Sequence, residues 1–157
     1  MNWKPDITVS AVIVREGRFL IVEERIKGRH VFNQPAGHVE IDESPLTAVV
    51  RETLEEAAWQ FTPEHIVGVY VWRKPGSSLD TLRIAYCGQL GAHDPTRAYD
   101  HPIVATHWLS RDELCQRSAQ LRTPLVLRCI DDFISGQRLP LYTLSDLRVM
   151  PDSSAAA

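Results

Sequence analysis

The chain lacks a C-x-x-C pair: its three cysteines, Cys87, Cys115 and Cys129, are odd in number and far apart. That spacing supports neither a zinc site nor a redox motif, and it fits thiols kept reduced in a cytoplasm. Positive charge is not in excess. Lys and Arg total 17 against 20 Asp and Glu, a net charge of −3, so there is no basic footprint for a nucleic-acid partner. Long hydrophobic runs are missing too. The longest, residues 9–14, is broken by Ser10 and is far too short to span a bilayer. Met1-Asn2-Trp3-Lys4-Pro5-Asp6 carries no apolar core of a secretory signal. His38-Val39-Glu40 has the H-x-E of zinc deaminases but not their P-C-x-x-C partner. No repeat or linker divides the 157 residues, so one domain over residues 1–150 and a disordered tail over 151–157 are expected. No motif specifies an oligomeric state.

Acid is present, and it is concentrated. Glu52, Glu55 and Glu56 stand at i, i+3 and i+4 in the run Arg51-Glu52-Thr53-Leu54-Glu55-Glu56. At helical spacing all three share a face, and each like-charged pair costs an isolated helix about 0.2–0.5 kcal/mol. A cation among them offsets that cost. A hard divalent ion suits carboxylate oxygens, and Mg²⁺ characteristically brings substrate phosphates with it. The helix is predicted over residues 45–58, ending near Trp59 or Gln60. Ser44 is a good N-cap, Pro45 suits the first helical position, and Pro63 opposes continuation. Leu46, Val49, Val50, Leu54 and Ala57 form the expected core-facing stripe, opposite the acids.

The pattern reaches beyond the helix. Gly37, five residues, Glu43, seven residues, Arg51-Glu52, two residues and Glu55-Glu56 resemble the box of the Nudix hydrolases, G-x5-E-x7-R-E-U-x-E-E-x-G-U, with U bulky and apolar. Thr53 stands where a larger aliphatic is usual, Ala58 replaces the second glycine, and Trp59 fills the last apolar position. The resemblance implies an α+β protein, the α/β/α sandwich of that family with a mixed sheet between helical layers. It also implies attack by water on phosphorus in a small-molecule phosphoanhydride, with Mg²⁺ as cofactor and Mn²⁺ as a substitute.

By the same resemblance Glu52, Glu55 and Glu56 hold the metal, joined by the Gly37 carbonyl. Gly37 is expected in a tight turn close to the ion. Arg51 and Glu43 are expected to pair, since the arginine fork matches a carboxylate, and so to brace the 37–43 segment against the helix. The general base is open between Glu52, Glu56 and a loop carboxylate, Asp100 first and Asp94 behind it. Arg83, on a predicted strand, is costly there unless it meets an anion. With Arg73 and Lys74 it is a candidate for holding substrate phosphates. Phe32, Tyr70 and Trp72 are candidates for stacking an aromatic base.

Other segments resemble one branch of that family, the NudJ-type bacterial phosphatases. They are Lys4-Pro5, Val22-Glu23-Glu24, Asn33-Gln34-Pro35-Ala36-Gly37-His38, Leu121-Arg122-Thr123-Pro124-Leu125-Val126 and Ser135-Gly136-Gln137-Arg138-Leu139-Pro140-Leu141. The branch implies release of orthophosphate from nucleoside di- and triphosphates. It also implies hydrolysis of thiamine pyrophosphate and its hydroxymethylpyrimidine pyrophosphate precursor. One alternative is a pyrophosphohydrolase that releases pyrophosphate from nucleoside triphosphates or splits ADP-ribose or dinucleoside polyphosphates. Another is a non-catalytic nucleotide-binding module.

Elsewhere a strand over residues 7–14, a turn at 15–18 and a return strand at 19–22 read as a hairpin. A loop at 27–29 and extended chain entering a tight turn at 33–37 follow. Further strands are predicted at 66–73, 81–90 and 106–109, with a polar loop at 91–100. Ser110 caps a helix opening at Arg111, and a last helix over 124–135 closes at Gly136.

Overall fold

A computed structural model describes residues 2–148, so the expected tail at 151–157 lies outside the described residues. In chain order the strands β1 (Asp6–Val12), β2 (Val14–Arg15), β3 (Arg18–Ile26), β4 (Arg29–Asn33) and β5 (Ala36–His38) come first. Helix α1 (Pro45–Ala57) leads into two long strands, β6 (Trp59–Arg73) and β7 (Asp80–His93), and then β8 (Ile103–Leu109). Helices α2 (Arg111–Gln116) and α3 (Leu125–Ile134) and the short β9 (Leu139–Pro140) follow. No helix among the described residues is long and apolar enough to cross a membrane.

One sheet runs β5-β1-β7-β6-β9. It is mixed, because β1 and β7 are parallel while every other pairing in it is antiparallel. In the second sheet β3 pairs antiparallel with β2, β4 and β8. Side chains alternate along β3, so Leu20 and Val22 join one apolar cluster while Phe19 and Ile21 join another. The first cluster holds Ala48, Val49 and Ala57 of α1, and the second holds Leu125, Val126, Cys129 and Ile130 of α3. Helices therefore cover opposite sides of the strands, which is an α/β/α sandwich. Each buried Val, Ile or Leu contributes about 1.5–3 kcal/mol. These clusters outweigh the few tenths of a kcal/mol of acid repulsion within α1 and hold the helix in place.

Several boundaries differ from the predicted ones, for identifiable reasons. The hairpin predicted over 7–22 is divided between the sheets: Glu16 and Gly17, both at positive φ, turn β2 into β3, while β1 pairs with β7 instead. The 27–29 loop is a tight hairpin turn with Lys27 and Gly28 at positive φ, joining β3 to β4. Pro63 lies inside β6, opposite Gly88, with register shifts between Pro63 and His65 and between Ile66 and Gly68. Such bulges accommodate a residue that cannot donate to the ladder. Gly88 allows the strands to close there, since a Cβ on it would lie 2.0 Å from Thr62 O. β6 consequently starts at Trp59, β7 continues to its partner His93, and the following loop is shorter than expected. β8 begins at Ile103 rather than 106. Ser110 and Glu113 form a reciprocal capping box that opens α2.

Candidate active site

Helix α1 is built as its caps dictate. Ser44 Oγ accepts the Thr47 N–H at 3.0 Å, and Pro45 takes the first helical position. At the far end Ala58 adopts the left-handed conformation (φ 57, ψ 27) and donates its N–H to Leu54 O at 3.0 Å. The helix thus stops at Ala57, and Trp59 already belongs to β6.

The buried face of α1 is rotated from the predicted stripe. Pro45, Ala48, Val49, Thr53 and Ala57 are buried, whereas Leu46 is 40% exposed and Val50 and Leu54 are half-buried. Thr53 fits its unusual position because its Oγ1 donates to Val49 O at 2.7 Å, which satisfies the hydroxyl in the core. The rotation places Glu52 and Glu56, neighbours in sequence of Thr53 and Ala57, at the margin of the core rather than opposite it. Burial therefore raises the Glu56 carboxyl from 4.5 to about 8; the Ala36 N–H opposes the rise, and the charges of Glu52 and Glu24 add to it. Burial also raises Glu52, against the pull of Arg51.

Arg51 organises the acids. Its Nε and Nη2 donate to Glu43 Oε1 and Oε2 at 2.8 and 2.9 Å, a bidentate contact that lowers the Glu43 carboxyl. Its Nη1 donates to Glu52 Oε1 and Glu55 Oε2, both at 2.9 Å, and Nη2 also reaches His38 O at 3.0 Å. Glu56 Oε2 accepts the Ala36 N–H at 2.9 Å. One guanidinium thus ties the helix acids to the strand segment beside Gly37.

Gly37 does not turn the chain, contrary to expectation. It lies in β5, paired with Val9, and its φ is not positive. The requirement for glycine is the close approach: a Cβ at Gly37 would lie 2.0 Å from Glu52 Oε1. Among the described residues no three acidic, histidine or cysteine side chains converge on one point, since Arg51 engages Glu52 and Glu55 while Ala36 engages Glu56. The donor set nonetheless fits a hard divalent ion. Every donor is oxygen, the local charge is negative, and Gly37 leaves the space beside the Glu52 carboxylate open.

A cavity of about 1020 Å³ adjoins these residues and is lined by Gly37, Glu52, Glu56, Lys74 and Arg83 among others. Glu43 and Glu55 are outside its lining, and so are Asp94 and Asp100. Asp100 is exposed, and it is its backbone that meets the helix, donating to Glu55 O at 3.0 Å. Asp94 accepts from Thr96 N and Oγ1 and so shapes its own loop. Arg73 is held bidentately by Asp80 at 2.5 and 2.8 Å, away from the cavity lining. Of the aromatic candidates only Trp72 lines the cavity: Phe32 is buried beside the His107 ring, and Tyr70 donates to Asp132.

Two lining residues without a role in the sequence reading are Glu24 and Arg122. Glu24 is 6% exposed and accepts Arg122 Nη1 at 3.0 Å across 98 positions of sequence. Sequence alone does not single out Glu24, because β3 also carries Arg18, Glu23 and Arg25; its burial is what sets it apart from most charges, which stay at the surface. Arg122 carries no local signal, because the bridge from Phe32 to Leu121 brings its segment to the cavity.

The pattern of the NUDIX domain matches residues 4–129. Phosphatase NudJ of Escherichia coli strain K12 is 40% identical over 144 residues, 92% of this chain and 93% of that protein, and Phosphatase NudJ of Shigella flexneri gives the same values. Among solved structures, a NUDIX hydrolase from Nitrosomonas europaea has a TM-score of 0.88 and 42% identity over 91% of this chain and 97% of its own. A MutT NUDIX hydrolase from Burkholderia pseudomallei, at 21% identity and a TM-score of 0.68 over 82% of this chain and 98% of its own, shares the fold. With the box folded as described and these likenesses covering most of its length, the chain belongs to the Nudix hydrolases, enzymes that use a divalent metal ion to hydrolyse small phosphate-containing molecules.

Proposed function

We propose that this chain is a Mg²⁺-dependent phosphatase acting in the cytoplasm. Its substrates are nucleoside di- and triphosphates and thiamine or hydroxymethylpyrimidine pyrophosphate, from which it releases orthophosphate. The observation that supports this is a single cavity lined by Glu52 and Glu56 and also by Arg83 and Lys74, so that carboxylates suited to metal and cations suited to phosphate face one space. The name phosphatase carried by the NudJ relatives points the same way.

In this proposal Glu52, Glu55, Glu56 and the Gly37 carbonyl hold the ion, which when bound neutralises the phosphate chain and favours attack by water. Arg51 aims Glu52 and Glu55 through its shared Nη1, and Glu43 fixes Arg51 in turn. The water oxygen bonds to the terminal phosphorus. The bridging P–O bond breaks, and its electron pair leaves with the shortened chain. One water proton stays on orthophosphate, and the other passes through Glu52 or Glu56 to solvent. Asp100, exposed and outside the cavity lining, suits that proton transfer less well. Arg73, committed to Asp80, suits phosphate binding less well than Arg83.

The test is ³¹P NMR of the products from ATP, ADP, thiamine pyrophosphate and ADP-ribose, each with and without Mg²⁺. Orthophosphate from the first three, only with metal, is expected. Pyrophosphate from ATP, or cleavage of ADP-ribose alone, would move the proposal to the pyrophosphohydrolase alternative. No turnover by folded protein with metal would overturn it.

A further inference from the structure

The cavity lining divides by exposure into a buried part, its closed end, and an exposed part, its rim, and their chemistry differs. Thr8, Glu24 and Arg83 line the closed end, exposed by only 6, 6 and 5%. Arg29, His30 and Lys74 line the rim and are exposed. Arg83 projects from β7, whose neighbour β1 supplies Thr8 directly opposite it in register.

The Arg83 guanidinium is incompletely satisfied. It carries five N–H donors in a fixed fork. Among the described residues its one side-chain hydrogen bond is a long contact of 3.5 Å from Nε to Thr8 Oγ1, and Nη1 is buried without a partner. Glu24 does not complete it: Oε1 is engaged by Arg122 Nη1 at 3.0 Å, and Oε2 is likewise buried without a partner. A buried cation with unused donors is costly until an acceptor arrives. The acceptor that suits a guanidinium fork is a phosphate or carboxylate.

We propose that Arg83 receives the terminal phosphate of the substrate at the closed end of the cavity, so that the enzyme selects phosphoanhydrides with an uncapped end. This deepens the phosphatase reading above and rests on it. The chain enters phosphate first, with its organic group toward the rim. The first anhydride bond then lies beside the face that carries Glu52 and Glu56. A diphosphate esterified at both ends, such as ADP-ribose, has to bury a sugar against Arg83, where an anion is required. Glu24 Oε2 sharpens the choice, because a terminal phosphate can offer it a P–O–H donor and a phosphodiester cannot.

The test compares kcat/KM for ADP and ADP-ribose with Mg²⁺ in the wild type, Arg83→Met and Arg83→Lys. The wild type is expected to favour ADP. Arg83→Met is expected to lower kcat/KM for ADP by about 10- to 150-fold, the loss typical of a hydrogen bond to a charged group. Inhibition by inorganic phosphate should weaken in parallel with the ADP loss. Arg83→Lys keeps the charge without the fork, and should fall between. An unchanged kcat/KM for ADP, or unchanged phosphate inhibition, would overturn the proposal. Should Arg83→Met not fold, Arg83→Lys and the wild-type preference decide it. A wild type that cleaves ADP-ribose as well as ADP refutes the terminal-phosphate subsite yet leaves a phosphoanhydride hydrolase. Turnover of neither substrate removes both readings.

Discussion

Replacing Glu56 with glutamine should stabilise the metal-free protein in alkaline solution, although it removes a proposed metal ligand. The Glu56 carboxyl rises from 4.5 to about 8, chiefly through burial. A carboxyl raised in the folded state binds its proton more tightly there than in the unfolded chain. Its contribution to stability is therefore full below about pH 4.5 and is lost as pH climbs through about 8. A rise from 4.5 to about 8, at 1.36 kcal/mol per pH unit, sets a ceiling of about 5 kcal/mol, and partial access of water at this half-buried residue lowers it to about 2–5 kcal/mol. Glutamine keeps an oxygen for the Ala36 N–H, now at 2.9 Å from Oε2, and removes the charge. The assay is urea unfolding followed by tryptophan fluorescence, in EDTA, at pH 5, 7 and 9. Glu56→Gln and wild type should nearly coincide at pH 5. At pH 9 the variant should unfold at roughly 1–2 M higher urea, given m-values of about 1–3 kcal/mol/M. Added Mg²⁺ should then stabilise the wild type more than the variant, by preferential binding to the folded state. A gap that is the same at all three pH values would refute the argument from burial.

Three further changes have expected outcomes. Gly37→Ala drives a Cβ to within 2.0 Å of Glu52 Oε1, so the carboxylate must move, and kcat/KM should fall about 100-fold or more while circular dichroism stays native. Arg51→Lys cannot reproduce the fork on Glu43 together with the bonds to Glu52 and Glu55. It should lose about 1–3 kcal/mol of stability in thermal unfolding and raise the Mg²⁺ concentration needed for half-maximal rate. Ala58→Gly relieves a left-handed alanine at the end of α1, at φ 57. Against the added freedom of the unfolded chain it should gain about 0.5–1 kcal/mol, or roughly 1–4 °C in Tm, with unchanged kcat.

Much of the box was legible because its determinants are local. Ser44, Pro45 and the i, i+3, i+4 spacing of Glu52, Glu55 and Glu56 act within a few residues of one another, and the α1 caps follow from them. Boundaries failed where a distant partner overrode a local signal. Pro63 reads as a breaker until β7 offers Gly88 opposite it, and Trp59 reads as a helix end until it pairs with His93. The stripe on α1 was misplaced for a related reason: periodicity finds a repeat, but the sheet beneath decides which side turns inward, and it chose Thr53 over Leu54.

The sequence by itself determined the box, its acids, the helix that carries them, and the family, because spacing along one helix is fixed by backbone geometry alone. Tertiary structure alone decided what surrounds those acids. It placed Glu52 and Glu56 at the core margin, set Gly37 against Glu52, left Asp100 outside the cavity and tied Arg73 to Asp80. It also brought Glu24, Arg83 and Arg122 to one cavity from three separated segments. Their charge chemistry depends on burial and on partners far away in sequence, and those exist only once the strands have paired.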